Sequence, residues 1–482
     1  MSDLDRAEDL ITAARAAGAA EVEVYVKRAC VRRVSLSPIP DPSEPRVTVS
    51  TIEERGVALR LLDDHGRWGF AWRSSGGELE MEGLVTDAIE SARRSIACDD
   101  PGGADQIPCA PPGGDFGDPG IYDGRWLSAS VDSILDYLGE GISAASHVAG
   151  RCAVVERALL STAHTTVRLI NSRGFDGHYE KTPTLVSVSM VPIETGARAS
   201  LEERSGCRME DISPRDCGVE AALRSLPVRP AALPPDSGPS LILGPRTTAS
   251  LLASLIPGIL DAARHAPGRN GVETAPGPIA NILQFPAMTL VDNGRAPGMV
   301  ASAPFDGVGR STGRTVLFRD GERCGRLSAA TGHAIRPSYR EPPLVGATTL
   351  ILEPPVDDVA AADPDSFLRV ETALFKPGPK VWRVRVLRGE WYAGGSPAGP
   401  ADGLKWEGPL ERILSGVRSR EKKDVRFFHI GIPIGAPSIR IDGLGPWIVE
   451  AASARPASLV RRAASREIRP QARFTAPEDR RP

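Results

Sequence analysis

Residues 304–314, "PFDGVGRSTGR", crowd Gly307, Gly309 and Gly313 between Asp306 and the two arginines Arg310 and Arg314. A phosphate loop needs a strand before such glycines and a helix after them, because aligned N–H groups at the helix start supply the anion site. Downstream, "RTVLFRDGERCGRL" is two short strand-like runs joined at Asp320 and Gly321, which is hairpin chemistry. The glycines therefore belong to a bent connection feeding a hairpin, and nucleotide binding is set aside. Asp306, Arg310 and Arg314 become candidates for holding that connection by ion pairs or for facing a cavity.

The surrounding sequence extends this reading. The strand "SLILG" opens the second half, and after it comes "RTTASLLASLIPGILDAARH", whose apolar set Leu251, Leu252, Leu255, Ile256, Ile259 and Leu260 fits a helix that Pro257 should kink. From 288 onward the chain reads as short strands with turns such as "DNG", "RDGE" and "IDGLG", giving a predominantly antiparallel, barrel-like β domain over 241–454. Upstream, a helix near 3–17 precedes the alternating "EVEVYVKR". Two further strands turn at "DDHG", and "LEMEGLVTDAIESARRS" supplies a second helix. A longer helix begins near Leu127, and strands then surround "NSRG", where Asn171 and Gly174 tolerate positive φ. Another helix covers about 214–225. The fold class is α+β, with residues 1–226 forming an N-terminal α/β-layer domain on a mostly antiparallel sheet. The proline and glycine run 101–120 reads as a surface loop within it. Five prolines within 227–240 mark a linker, and the charged tail 455–482 reads as frayed.

A length of 482 residues calls for at least two cores, and 41% hydrophobic with 25% charged residues is the mixture of a folded soluble protein. A net charge of -3 without long single-sign blocks argues against a nucleic-acid partner. The N-terminus lacks a secretory signal and no apolar run is long enough to span a bilayer, so a cytoplasmic protein is expected. The seven cysteines form no C-x-x-C pair and are expected reduced and mostly buried. Lysine occurs only at 27, 181, 376, 380, 405, 422 and 423, a bias toward arginine that carries no mechanism.

Catalytic signatures are missing. No histidine precedes a glutamate, which excludes the helical metal-hydrolase motif, and G-x-S-x-G is absent. A site built from His333, His429 and Cys324 has no support from spacing. The pairs Asp357–Asp358 and Glu202–Glu203 read as solvated faces.

As a whole the pattern resembles the TldD/PmbA family, peptidases also described as modulators of DNA gyrase. The resemblance rests on "AEVEVYVKR" (20–28), "GVALRLLDDHGRWGFA" (56–71), "NSRGFDG" (171–177), "PFDGVGRSTGRTVLFRDG" (304–321) and "TGHAIRPSYREPPLVGATTLIL" (331–352). Within the family, TldD subunits carry H-E-x-x-x-H on a helix after the first strand of the C-terminal domain, and TldE (PmbA) subunits lack it. Aligned on "LILGP", those positions fall near Ala253, Ser254 and Gly258, and no cysteine comes after Cys324 to supply a late ligand. The resemblance thus implies a TldE-like, non-catalytic chain with no metal or cofactor of its own and zinc held by a TldD-type partner. It also implies a heterodimer enclosing an extended peptide, such as a natural-product precursor, with neither nucleic acid nor membrane involved. Alternatives are a stand-alone peptide-binding homodimer, or a pair diverted to non-hydrolytic modification of a precursor. Gly307 stands where the family often has a second acid, and His333 where Asn is common. With Asp306, Arg310, Arg314 and Arg336, His333 completes the set of cavity or structural candidates.

Overall fold

The computed structural model describes residues 5–38, 45–75, 81–95, 109–111, 113, 116–194, 197–229, 231, 238–264, 288–355, 364–378, 381–419 and 425–449. The Asp357–Asp358 pair, half of the 227–240 linker (230 and 232–237) and the 455–482 tail lie outside these residues.

The first half runs α1 (Asp5–Ala16), β1 (Glu21–Ser37), β2 (Arg46–Leu62), β3 (Trp68–Ser75), α2 (Leu84–Arg94), α3 (Arg125–Ser128), α4 (Val131–Ala149), β4 (Ala153–Asn171), β5 (Asp176–Lys181), β6 (Thr184–Pro192), β7 (Ser200–Gly206) and α5 (Pro214–Ser225). Its strands make one seven-stranded sheet, ordered β3-β2-β1-β4-β6-β7 with β5 also on β4. Every pairing is antiparallel. Alternation of side chains along β1 sends Val22, Val24 and Val26 to one face, where α1 and α2 close a core, and Val34 to a second core under α4 and α5. Glu23, Tyr25 and Lys27 therefore point to the other face, toward the second half of the chain. Ser130 caps α4 by accepting from the Ser133 N–H at 3.1 Å, and Ser213 caps α5 in the same way through Asp216.

The second half contains β8 (Ser240–Leu243), α6 (Pro245–Arg264), β9 (Thr289–Asn293), β10 (Arg314–Arg319), β11 (Glu322–Arg323), β12 (Ala334–Ile335), β13 (Leu344–Val345), β14 (Leu350–Glu353), β15 (Ser366–Lys376), β16 (Trp382–Ala393), β17 (Ser396–Pro400), β18 (Leu404–Gly408), α7 (Leu410–Ser415), β19 (Val417–Ser419), β20 (Arg426–Ile430), β21 (Ile432–Ala436), β22 (Ile439–Ile441) and β23 (Ile448–Val449). An eight-stranded sheet (β19-β22-β8-β15-β16-β18-β23, with β17 on β16) and a six-stranded sheet (β11-β10-β9-β14-β21-β20) share one core with α6. The α+β reading, the antiparallel first sheet and the strand-dominated second half are all present. No barrel closes among the described residues, and β8–β15 and β14–β21 are parallel pairs.

Local expectations fare unevenly. The hairpin at Asp320 and Gly321 forms, with φ of 51° and 85° at those two residues. At "NSRG" only Gly174 has positive φ. Asn171 instead ends β4, and its side-chain oxygen accepts from the N–H groups of Arg173 (2.9 Å) and Phe175 (3.2 Å). The 101–120 run is not simply a surface loop, because Cys109 and Ala110 are fully buried. The Ala110 N–H donates to the Val308 carbonyl, so residues 109 and 110 are tucked between the halves. Helix α6 continues through Pro257 to Arg264. Of the six described cysteines, 109, 207 and 217 are buried and all six are unpaired thiols.

Candidate functional site at the junction of the two halves

The 304–314 connection is organised by one carboxylate. Asp306 Oδ1 accepts from the N–H groups of Val308 (3.0 Å) and Arg310 (2.9 Å), and Oδ2 accepts from Ala334 N–H at the start of β12 (3.0 Å). Burial pushes the Asp306 carboxyl up to about 6, against the pull of those three backbone donors. The bent segment is closed by a bridge between Phe305 and Ser311. Gly309, at φ 97°, lies so close to Phe175 that a Cβ there would come within 2.8 Å of the ring. Phe175, Phe305, Phe116 and Tyr179 pack edge to face with centroids 5.2–6.0 Å apart, sealing the connection onto the first sheet.

Arg336 completes the seal. Its guanidinium pairs with Glu23 of β1, donates to the Gly307 carbonyl at 3.1 Å and lies over the Tyr25 ring at 4.7 Å. Glu23 also accepts from Arg60 at 3.0 Å, and the side chains of Glu23 and Arg336 are both at or below 2% exposure. Nearby, the Tyr339 hydroxyl donates to Glu54 at 2.5 Å, and Arg340 reaches the same carboxylate at 3.8 Å.

The five candidate residues therefore separate. Asp306 and Arg336 are structural ties between the halves. Arg314 is exposed and pairs with Glu353 across the six-stranded sheet. His333 is buried, with Nδ1 2.9 Å from the Thr331 hydroxyl and Nε2 3.4 Å from Asp292. Burial lowers His333 to about 4 and raises Asp292 to about 7, although the Thr348 and Thr349 donors pull Asp292 down. Proximity alone suggests an ion pair, but desolvation of both groups favours their neutral forms. Arg310 is half-buried and makes no ion pair among the described residues.

Glu202 and Glu203 are not a solvated pair. Glu202 is buried and bound by Arg204 (2.8 Å), Arg224 (2.9 Å) and Arg246 of α6 (2.9 Å), a second tie between the halves. Glu203 faces the other side of β7, where burial raises its pKa.

The helix positions implied for zinc lie on α6, directly after β8. Ala253 offers no donor, Gly258 none, and the Ser254 hydroxyl donates to the Leu251 carbonyl at 2.6 Å. These residues do not fit a zinc site. Among the described residues no group of three His, Cys, Asp or Glu side chains could hold a metal, and Cys324, His333 and His429 are not brought together.

A cleft of about 700 Å³ opens on the helical face of the first sheet over Arg28, Arg168, Asp176, His178 and Glu180. Its charges are largely paired, Arg168 with Asp176 (2.9 Å) and Glu8 (3.1 Å), and Glu180 with His164 (2.9 Å). The opposite face carries Lys27 and Lys181, which sequence reading passed over. Period-two alternation places Lys27 beside Glu23 and Tyr25, and lysines inside strands of an arginine-rich chain were the available signal.

An antiparallel first sheet joined by buried ion pairs to a strand-rich second half built around α6 defines a two-part α+β fold. Residues 239–445 match the PmbA/TldA metallopeptidase C-terminal domain, and residues 124–226 match the PmbA/TldA metallopeptidase central domain. The chain belongs to the PmbA/TldD family. No curated protein sequence matches it. Among solved structures, TldE from Thermococcus kodakarensis superposes with a TM-score of 0.72 at 18% identity, covering 92% of this chain and 99% of that one. A protein of Thermotoga maritima named as a modulator of a DNA gyrase gives 0.71 at 16% identity, covering 92% and 100%. One from Bacteroides thetaiotaomicron, named likewise, gives 0.67 at 18% identity, covering 92% and 98%. At these identities the likeness establishes the fold.

Proposed function

We propose that the chain is a non-catalytic, TldE-like subunit of a two-chain zinc peptidase, pairing with a TldD-type subunit that carries the metal. The observation that carries this reading is the side-chain chemistry of α6. The helix stands directly after the first strand of the second half, and the family resemblance puts the ligand and base positions near Ala253, Ser254 and Gly258, none of which can hold zinc or serve as a base. The likeness to a TldE structure agrees with it. The partner's zinc would activate water. This chain contributes a wall, an interface and contacts that hold a peptide or peptide-like natural-product precursor in extended form. Among the described residues β3 pairs with β2 only from Arg55 onward, so the outer edge of β2 from Arg46 to Glu54 has no strand partner there and is a candidate for strand addition.

Co-expression with a TldD-type subunit tests the reading. The expected result is co-purification of both chains, zinc in the complex but not in this chain alone, and cleavage of an unstructured peptide only when both are present. Near-stoichiometric zinc in the lone chain, with partner-free cleavage, would overturn it.

A further inference from the structure

On the sheet face that the 304–314 connection partly covers, Lys27 of β1 and Lys181 of β5 flank β4, opposite Val167 and Thr165. Strand spacing puts their Cα atoms roughly 12 Å apart, within the joint reach of two four-carbon side chains. Both are half-buried. The Lys181 ammonium donates to the Val300 carbonyl at 3.2 Å, and neither lysine makes an ion pair among the described residues. Glu54, the acid whose field reaches Lys27, is engaged by the Tyr339 hydroxyl and Arg340. Near Lys181 the ionisable neighbours are Cys207 and Lys27, and burial raises the Cys207 thiol to about 11, leaving it neutral. Burial lowers both lysines, Lys181 to about 8, and the charge of Lys27 acts on Lys181 in the same direction. Two neighbouring, partly desolvated cations, whose nearby acid Glu54 is shared with Tyr339 and Arg340, are costly, and an incoming anion relieves that cost.

We propose that Lys27 and Lys181 form a carboxylate-binding site that takes an acidic group of the extended peptide, either an Asp or Glu side chain or a C-terminal carboxylate. The proposal rests on the peptide-binding reading above, and it makes this subunit the selector for acidic peptides. Ammonium groups recognise a carboxylate as point charges, without the fixed fork of arginine, so the carboxylate can arrive in several orientations.

The experiment uses the full chain alone and three fluorescein-labelled Gly/Ser dodecapeptides. One has three central Glu residues and an amidated C-terminus, one has central Gln and a free C-terminal acid, and one has central Gln and an amide. At least one acidic probe is expected to bind about tenfold more tightly than the neutral one, and which one does so identifies the source of the carboxylate. The Lys27→Met/Lys181→Met variant should lose that preference while binding the neutral probe unchanged. Equal binding of all three probes, or a preference that survives the double substitution, overturns the site. Carbon-13 dimethyl-lysine NMR of the wild-type chain with N-acetylglutamate separates the two readings. A shifted Lys181 signal without any peptide binding sinks the peptide reading and keeps the site, and no shift and no binding sinks the site.

Discussion

Asp306 spends both carboxylate oxygens on backbone N–H groups, so its loss would strand three donors in a buried turn. Asp306→Ala is expected to cost about 2–4 kcal/mol in urea unfolding. Arg314→Ala, which removes an exposed pair, should stay within about 1 kcal/mol. Equal effects would show that the turn does not depend on Asp306. His333 provides a pH signature. Its folded pKa lies below the unfolded value of 6.5, so protonation favours unfolding, and its contribution is present above pH 6.5 and lost as pH falls through about 4. His333→Asn should therefore unfold less readily on acidification, the gap to the parent growing by up to about 3 kcal/mol across that window. Asp292, raised to about 7, acts oppositely: its contribution is full below pH 3.8 and lost as pH rises toward 7. Urea titrations at several pH values decide this, and parallel curves for the two proteins would contradict it.

Among the elements, α4 and α5 make an unusually close approach. A Cβ at Gly218 of α5 would collide with the Gly141 carbonyl oxygen of α4, so Gly218→Ala must push the helices apart. A cost of about 1–3 kcal/mol is expected in thermal or urea unfolding, although alanine is the better helix former. A neutral or stabilising result would mean the pair is not so tightly apposed. Helices and hairpins of this kind were legible in the sequence because periodicity and turn chemistry act within a few residues. "DDHG" forms its turn through the Asp63 carboxylate, which accepts from His65 N–H and Arg67 N–H. The burial of Cys109 and Ala110 was not legible, since a proline- and glycine-rich run looks like loop whether solvent or another part of the chain covers it. The site was legible as a set of residues but not as roles. Asp306 and Arg336 announced themselves as charges near glycines, yet only their partners, Ala334 N–H and Glu23, show that they fasten rather than face a ligand.

At the scale of the molecule, two buried carboxylates join the halves, Glu23 through Arg336 and Glu202 through Arg246. Arg336→Met should destabilise the chain by about 3–5 kcal/mol, because Glu23 would remain buried with Arg60 as its remaining ion-pair partner. Glu23→Gln combined with Arg336→Met should recover part of that loss, and a double-mutant cycle measures the coupling. Calorimetry is expected to show a broader or split transition for Arg336→Met than for the parent as the halves uncouple, whereas matching transitions would show that the aromatic cluster suffices alone.

The Glu23 arrangement also bears on how the chain is made. Arg60 lies 37 residues beyond Glu23 and Arg336 lies 313 beyond it. During synthesis the β1–β2 pair can therefore form and neutralise its carboxylate early, while the second cation has not yet left the ribosome. Arg60 thus gives Glu23 a counter-ion from the start and keeps it in the finished fold, where Arg336 joins as the second.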